Sequence, residues 1–207
     1  MSNVVEHFGW TDALPRDSAT YLVEPVVAEL RRVGARRVID LGCGNGAMSH
    51  LLQQQGFEVL GIDQDRDGID LARQTGSGAA FSQIGLYDSP TALGELEFDA
   101  AVSTEVIEHL FDPRALPRFA SQVLRPRGAL IISTPYHGWL KNVLISAAGK
   151  WDLHHSPLHD GGHIKFWSFK TLSQLLTENG FVVESFLGAG RLPLVWKSMV
   201  VTARLSN

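Results

Sequence analysis

Residues 38–46 read Val-Ile-Asp-Leu-Gly-Cys-Gly-Asn-Gly, and residues 59–63 read Val-Leu-Gly-Ile-Asp. The β-branched pair that opens the first stretch predicts a buried strand, which a Gly-x-Gly-x-Gly turn ends. A helix-forming run follows over 47–55, and the second stretch predicts another apolar strand that ends in a carboxylate. Together they predict a nucleotide-binding βαβ unit, with glycines where a ligand approaches the backbone and Asp63 where a ribose lies.

The spacing of Gly42, Gly44 and Gly46 separates this loop from the dinucleotide-binding type. Dinucleotide folds usually carry Gly-x-Gly-x-x-Gly, and a pyrophosphate lies at the N-terminus of the helix that follows. Here Asp40 stands two positions before the first glycine, and a carboxylate at the lip of the loop would repel a pyrophosphate. It favours a cationic ligand, such as the amino group or sulfonium of S-adenosylmethionine. A dinucleotide site and a glycine turn without a ligand remain the alternatives.

The stretch from Asp40 to Gly46, with Asp63 after the second strand, resembles the class I S-adenosylmethionine-dependent methyltransferases. The resemblance implies an α/β fold with a Rossmann-like, doubly wound, seven-stranded and mostly parallel sheet whose last strand pair is antiparallel. It also implies S-adenosylmethionine as the cofactor. Ligands of such sheets lie at the carboxyl ends of the strands. The expected cofactor-binding residues are therefore Asp40, Gly42, Gly44 and Gly46 for the methionine portion, Asp63 for the ribose hydroxyls, Gln64 and Leu86 beside the adenine, and Thr104 at the methionine end.

Length and composition predict one globular domain over residues 1–207. The formal net charge of −4 gives no basic footprint, so we expect no nucleic-acid partner. The one cysteine, Cys43, excludes a disulfide within the chain. No stretch has the length and apolar character of a signal peptide or a membrane span. We therefore expect a cytoplasmic protein, and its composition does not specify an oligomeric state.

Strand and helix signals alternate along the chain, which predicts a parallel sheet with helices on both faces. Pro25 should kink the first helix or mark a later start, and residues 124–128 should form a turn. The predicted helices span 18–33, 47–55, 66–75, 113–123 and 168–179, and the predicted strands span 37–41, 58–62, 79–83, 98–103, 129–133, 181–186 and 199–204. An N-terminal helical segment, 1–34, precedes this core. Residues 135–167 interrupt the alternation, and a connection this long predicts a substrate lid.

The segment Glu105-Val106-Ile107-Glu108-His109 is the second specific signal. If it begins a helix, Glu105, Glu108 and His109 share one face. They could then bind a divalent metal, or His109 could be a general base that a carboxylate orients. The structural alternative is that acids of a first helical turn interact with the helix dipole.

This segment resembles that of two methyltransferase groups, the ubiquinone-biosynthesis O-methyltransferases and the small-RNA 3′-end 2′-O-methyltransferases. The second resemblance implies metal ligation by Glu105, Glu108 and His109 with a further histidine, for which His163 is the candidate although the residue order differs. His109 and His163 are accordingly the candidate catalytic residues. A resident metal is the less favoured interpretation.

Six of the eight histidines lie between residues 109 and 163, and a turn at 160–162 could direct His163 into the site. We expect one lid histidine to contact the acceptor or to serve as base, unless this stretch is a solvated loop. Residues 139–148 are amphipathic if helical, with Trp139, Leu140, Val143, Leu144 and Ala147 on one face. That face would roof an apolar pocket or, as the less favoured alternative, make a peripheral membrane contact.

The leading functional hypothesis is methylation of a small, aromatic or otherwise apolar hydroxylated metabolite on oxygen, with this small-molecule acceptor as the expected partner. The alternatives are metal-dependent 2′-O-methylation of RNA 3′ ends and N-methylation of a heteroaromatic small molecule. A non-catalytic S-adenosylmethionine-binding module and a dehydrogenase-like protein are further possibilities from other classes. The acidic net charge argues against the RNA substrate.

Overall fold

The structure is a computed structural model that describes residues 9–12, 14–15, 17–76, 78–94, 97–155, 158 and 162–206. The first eight residues of the predicted segment 1–34, His159 and most of the predicted turn at 160–162 lie outside the described residues. Helices are α1 Asp17–Arg32, α2 Ala47–Gln54, α3 Arg66–Gln74, α4 Ala115–Val123, α5 Trp139–Ala147, α6 Trp151–His155 and α7 Phe169–Glu178. Strands are β1 Arg37–Leu41, β2 Glu58–Asp63, β3 Ala80–Gln83, β4 Phe98–Thr104, β5 Leu124–Pro135, β6 Phe181–Ala189 and β7 Ser198–Leu205.

The seven strands form one sheet in the order β3-β2-β1-β4-β5-β7-β6. Strand β1 pairs in parallel with both β2 and β4, so the chain crosses over at β1 and a crevice opens at the carboxyl ends of these strands. Strand β7 runs antiparallel to both β5 and β6. This arrangement confirms the predicted Rossmann-like, mostly parallel sheet with an antiparallel last pair.

Alternation along β1 divides the core between the two faces of the sheet. Ile39 and Leu41 lie in a buried cluster with side chains of α4 and α7. Val38 lies in a second buried cluster, with side chains of α1 and α2. Successive strand residues point to opposite faces, so Asp40 shares the face of Val38, where α1 and α2 pack.

Helix α1 passes through Pro25 without ending there, so the predicted later start is wrong. A proline inside a helix costs about 3 kcal/mol relative to alanine. Leu22, Val26 and Leu30 are fully buried on one face of this helix, and each buried aliphatic side chain contributes roughly 1.5–3 kcal/mol. The burial therefore outweighs the cost of the proline.

Strand β5 begins earlier than the predicted 129–133. Leu124 pairs with Phe98, and pairing resumes with Ala129 opposite Ala100. The intervening residues, which we predicted as a turn, form an irregularity in the strand, where Arg127 has a φ of 61°. The predicted lid insertion 135–167 contains the two short helices α5 and α6. Over the part of the chain that the structure describes, no helix is long and apolar enough to cross a membrane.

Candidate active site

A cavity of about 250 Å³ opens at the carboxyl ends of β1, β2 and β4. Its walls include eight residues that the sequence nominated, namely Gly42, Gly44, Asp63, Gln64, Leu86, Thr104, Glu105 and His109. Ile84 and Val106, from the segments expected beside the adenine and at the methionine end, also line it. The sequence did not predict the further lining residues Trp10, Ser18, Ala19, Met48, Tyr87 and Leu110. Asp40, Gly46, Glu108 and His163 are not among the lining residues.

The glycine loop is built by backbone contacts that side chains would prevent. The amides of Gly42 and Cys43 both donate to the carbonyl oxygen of Ile62 at 2.9 Å, which ties the loop to the end of β2. A Cβ on Gly42 would lie 2.7 Å from Val106 Cγ2, and φ is 79° at this position. At Gly46, where φ is 78°, an added Cβ would lie 2.6 Å from the Cβ of Ala72 in α3. Gly46 thus serves helix packing, and the prediction that it lines the cofactor cavity is wrong.

Asp40 is fully buried and does not stand at the lip of the loop, so the predicted position of this carboxylate is wrong. The reason is the pleat of β1, which directs Asp40 toward α2 and away from the cavity. There its Oδ2 accepts a hydrogen bond of 2.6 Å from Ser49. Burial raises the pKa of Asp40 to about 6, so this acid supports the loop from beneath.

Asp63 lies where the sequence placed it, at the end of β2 and in the cavity wall. Its Oδ2 accepts from the Gly44 amide at 2.8 Å, and its Oδ1 accepts from the Asp65 amide at 2.8 Å. The helix-cap alternative for Asp63 is wrong, because Asp65 is the N-cap of α3. Each carboxylate oxygen keeps acceptor capacity beyond its one backbone bond. Burial raises the pKa of Asp63.

The segment after β3 forms the wall next to Gln64. Ile84, Leu86 and Tyr87 line the cavity here. The Gly85 amide donates to Asp88 Oδ2 at 2.8 Å, which closes a tight turn. Tyr87 accepts at its hydroxyl from the Asp112 amide at 3.3 Å and so connects this segment with the one after β4. These contacts give an apolar slot with the predicted Leu86 in its wall.

The N-terminal segment covers the glycine loop, a feature that the sequence did not reveal. Asn45 Nδ2 donates to the carbonyl oxygens of Asp12 and Leu14, both at 3.0 Å. Trp10 lies against Gly44, where a Cβ would overlap the indole ring. The only signal was the amide side chain of Asn45 within a loop of small residues. Its partners are backbone groups far away in the sequence, which no local pattern predicts.

The segment after β4 does not begin an α-helix, so the condition for a shared face of Glu105, Glu108 and His109 is not met. Glu105 has a left-handed φ of 55°, a single 3-10 turn follows over Ile107–His109, and the next α-helix begins at Ala115. Glu105 therefore does not share a helix face with Glu108 and His109. The helix-dipole alternative for these acids fails for the same reason.

Glu108, His109 and His163 converge beside the cavity. Glu108 Oε1 lies 3.9 Å from His109 Nε2 and 4.0 Å from His163 Nε2, and one ligand atom from each residue lies within 4.8 Å of the others. Thr134 donates to Glu108 Oε2 at 2.9 Å. Glu108 Oε1 is buried without a hydrogen-bond partner among the described residues. Burial, reinforced by the charge of Glu105, raises the pKa of Glu108 well above its usual value.

The tautomer of a neutral His109 follows from its contacts. Nδ1 lies 3.2 Å from the Gly162 carbonyl oxygen, which can only accept, so Nδ1 carries the proton and Nε2 keeps its lone pair. The amides of Ile164 and Lys165 donate to the Glu108 carbonyl at 3.0 Å. These bonds hold the stretch that carries His163 against the 3-10 turn. The predicted association of Glu108, His109 and His163 is thus present, although no α-helix creates it.

Glu105 is held apart from this cluster and faces the cavity. Ser133 donates to its Oε1 at 2.8 Å and Ser198 donates to its Oε2 at 3.1 Å. The Tyr21 hydroxyl lies 3.1 Å from Ser198 Oγ. The inclusion of Glu105 among the metal ligands is therefore not supported by its geometry, because its oxygens do not converge with the ligand atoms of Glu108, His109 and His163.

The remaining lid histidines pack on one another. His137 and His155 stack at 5.7 Å between ring centroids, and His154 lies 4.9 Å from His155. Burial and the nearby Lys141 charge lower the pKa values of His137 and His154 to about 4. None of the three lines the cavity. Of the described histidines in the lid insertion, His163 is the one that joins the acidic cluster.

Helix α5 presents the face opposite to the one we predicted. Trp139 is 76% exposed and Val143 and Leu144 are about half exposed, whereas Lys141 is buried and donates to the Lys197 carbonyl at 3.2 Å. The predicted apolar roof over the cavity is thus wrong. The reason is tertiary, since the start of β7 offers Lys141 a backbone acceptor.

The sequence matches the family described as methyltransferase domain over residues 15–185. The chain is similar to the ubiquinone biosynthesis O-methyltransferase of Bradyrhizobium diazoefficiens, with 27% identity over 186 residues, 88% of this chain and 72% of that protein. The protein of the same name from Hydrogenovibrio crunogenus is 25% identical over 204 residues, 95% of this chain and 84% of that one.

Among solved structures, magnesium protoporphyrin IX methyltransferase from Synechocystis with bound SAH has a similar fold. The TM-score is 0.68 at 21% identity, and the match covers 89% of this chain and 82% of the other. The family match spans most of the chain and includes both the glycine loop and Asp63. The chain therefore belongs to the methyltransferase-domain family, and it is a class I S-adenosylmethionine-dependent methyltransferase.

Proposed function

We propose that the enzyme methylates an oxygen atom of a small, aromatic or otherwise apolar hydroxylated metabolite. The observation that carries this proposal is the position of the Glu108–His109–His163 cluster, which adjoins the cofactor cavity through the lining residue His109. An alcohol or phenol must lose a proton during methylation, and imidazoles are suited to receive it near neutral pH. The O-methyltransferase names of the similar proteins support the same reaction class.

In this proposal the cofactor lies between the two carboxylates of the cavity wall. Asp63 accepts from the ribose hydroxyls, Gln64 and Leu86 flank the adenine, and Thr104 borders the methionine end. Methyl transfer is an in-line displacement at sulfur, so the protein mainly positions the acceptor oxygen and excludes water. The acceptor hydroxyl then points toward His109. Its proton passes to Nε2 of His109, or to His163, as the new carbon–oxygen bond forms.

The cluster also fits a divalent cation. Glu108 Oε1 is a buried carboxylate oxygen without a hydrogen-bond partner among the described residues. The Nε2 atoms of His109 and His163 lie 3.9 and 4.0 Å from it, a separation that two ligands of one ion can have. When bound, such an ion would polarise the acceptor hydroxyl. Glu108, His109 and His163 would hold it, and Glu105 would not.

We expect Mn²⁺ to bind the purified chain in titration calorimetry with about one site, because three ligand atoms already converge. Glu108→Gln should abolish this binding, whereas Glu178→Gln, at an exposed position of α7, should leave it unchanged. Chelation with EDTA should slow methyl transfer, and Mn²⁺ or Mg²⁺ should restore it. If neither binding nor chelation has an effect, the cluster acts through its imidazoles alone.

An acceptor panel tests the proposed function. Phenols, catechols, quinols, heteroaromatic amines and a short RNA with a free 3′ end are each incubated with the enzyme and S-adenosylmethionine, and the products are identified by mass spectrometry. We expect transfer to a hydroxylated aromatic compound. Transfer confined to a heteroaromatic nitrogen or to the RNA 2′-hydroxyl would overturn the choice of acceptor in favour of one of the two alternatives.

Helix α5 supports a second proposal about where the enzyme works. Its exposed Trp139, Val143 and Leu144 form an apolar face beside the exposed Lys150, a composition suited to the surface of a bilayer. A peripheral contact at a membrane, made from the cytoplasm, would give access to a lipidic hydroxylated acceptor.

A further inference from the structure

The charges that face the cofactor cavity are few and of one sign. Among the described residues that line it, Asp63 and Glu105 are acidic, and none is lysine or arginine. Asp63 stands at the end of β2, on the side of Gln64 and Leu86. Glu105 stands at the end of β4, on the side of Gly42 and Thr104. Because Asp40 is buried beneath the loop, Glu105 is the carboxylate left to face the cationic end of the cofactor.

The backbone fixes the direction of the Glu105 side chain. Its left-handed φ of 55° is unusual for a residue with a Cβ, and its amide donates to the Ser133 carbonyl at 3.1 Å. Ser133 and Ser198 each donate one hydroxyl to the carboxylate. A carboxylate can accept about four hydrogen bonds, so two of its lone pairs remain for the cavity side. The strained backbone thus holds a charged group at a defined place in the wall.

Lys141 is a positive charge that acts on Glu105 from outside the cavity lining. It is 5% exposed, and its ammonium donates to the carbonyl of Lys197, the residue before Ser198. Burial raises the pKa of Glu105 to about 7, and the charge of Lys141 opposes this rise. Burial and Arg191 lower the pKa of Lys141 to about 8. The charge of Lys141 therefore favours the ionised form of Glu105.

We propose that Glu105 raises the affinity of the enzyme for the methyl donor relative to its demethylated product, and that Lys141 supports this preference. When the methyl carbon–sulfur bond breaks, sulfur keeps the electron pair and loses its positive charge, while the ammonium and carboxylate of the methionine end are unchanged. Attraction between the Glu105 carboxylate and the sulfur therefore acts on the donor alone. The product, freed of this attraction, leaves more readily.

This proposal rests on methyl transfer from S-adenosylmethionine, which family membership shows, and is independent of the proposed acceptor. It is tested by calorimetric binding of S-adenosylmethionine and S-adenosylhomocysteine, without acceptor, at about pH 7.5. We expect Glu105→Gln, which preserves shape, to weaken donor binding by about tenfold or more and product binding by about threefold or less. Lys141→Met should lower the donor-to-product affinity ratio by about threefold, because without the lysine charge less of the Glu105 carboxylate is ionised.

Lys150→Met, a change of an exposed lysine after α5, is the matched control and should leave the ratio unchanged. Lys141→Arg retains the charge and should restore the wild-type ratio. Circular dichroism and thermal unfolding establish that each variant is folded. Equal losses of donor and product affinity in Glu105→Gln would overturn the proposal, because they would show that Glu105 only supports the wall. An unchanged or higher ratio in Lys141→Met would overturn the part assigned to the lysine.

Discussion

Replacing Asp63 with alanine should weaken S-adenosylmethionine binding by about 100-fold or more. The carboxylate is placed to accept hydrogen bonds from two ribose hydroxyls, and a hydrogen bond to a charged group contributes about 1.5–3 kcal/mol. The change also removes the acceptor for the Gly44 and Asp65 amides, which loosens the glycine loop. Calorimetry with the cofactor measures the loss, and the melting temperature shows whether the fold persists.

Two further variants separate the ribose contact from general effects on the loop. Asp63→Asn keeps one acceptor oxygen and should fall between wild type and alanine. Asp70→Asn, in exposed ion pairs with Arg66 and Arg73 on α3, should bind the cofactor normally. Unchanged affinity in a folded Asp63→Ala variant would show that the ribose lies elsewhere.

Replacing His109 with glutamine should lower kcat by about 100-fold or more while cofactor affinity changes by less than about threefold. Loss of a general base typically costs 10²–10⁴ in rate, and the same residue would be a ligand if the cluster holds a cation. Glutamine cannot take up the proton, yet it approximates the size of the ring. Single-turnover rates with a saturating acceptor isolate the chemical step.

His154→Gln is the matched control, because the His154 side chain is exposed and packs with His155 outside the cavity. It should retain rates within about threefold of wild type. A His109→Gln variant that transfers methyl groups at the wild-type rate would remove this cluster from the mechanism, and the assignment of an oxygen acceptor would lose its main support.

The βαβ core and Asp63 could be predicted from sequence because their signals are local. Short apolar runs with β-branched residues place β1 and β2, and a tight turn between strand and helix requires glycine at positive φ. The same local reading misplaced Asp40. Its distance from the glycines suggested the lip of the loop, but the period of the strand assigns it to the other face.

The rest of the site depends on contacts that no local pattern encodes. Glu105 adopts a left-handed conformation because Ser133 and Ser198, on two other strands, hold its carboxylate. Lys141 is buried because the backbone carbonyl of Lys197, just before β7, accepts a hydrogen bond from its ammonium, which reverses the expected face of α5. Asn45 fastens the N-terminal cover through backbone carbonyls. In each case a distant partner overrides the intrinsic preference of the segment.

A labelled methyl group identifies the acceptor atom directly. The enzyme is supplied with S-adenosylmethionine carrying a ¹³C-methyl group and with a bacterial extract separated into small-molecule and RNA fractions, and the products are read by NMR and mass spectrometry. We expect label on an oxygen of an apolar or aromatic compound in the small-molecule fraction, and its loss with His109→Gln. Label found only in RNA, or only on nitrogen, would contradict this expectation.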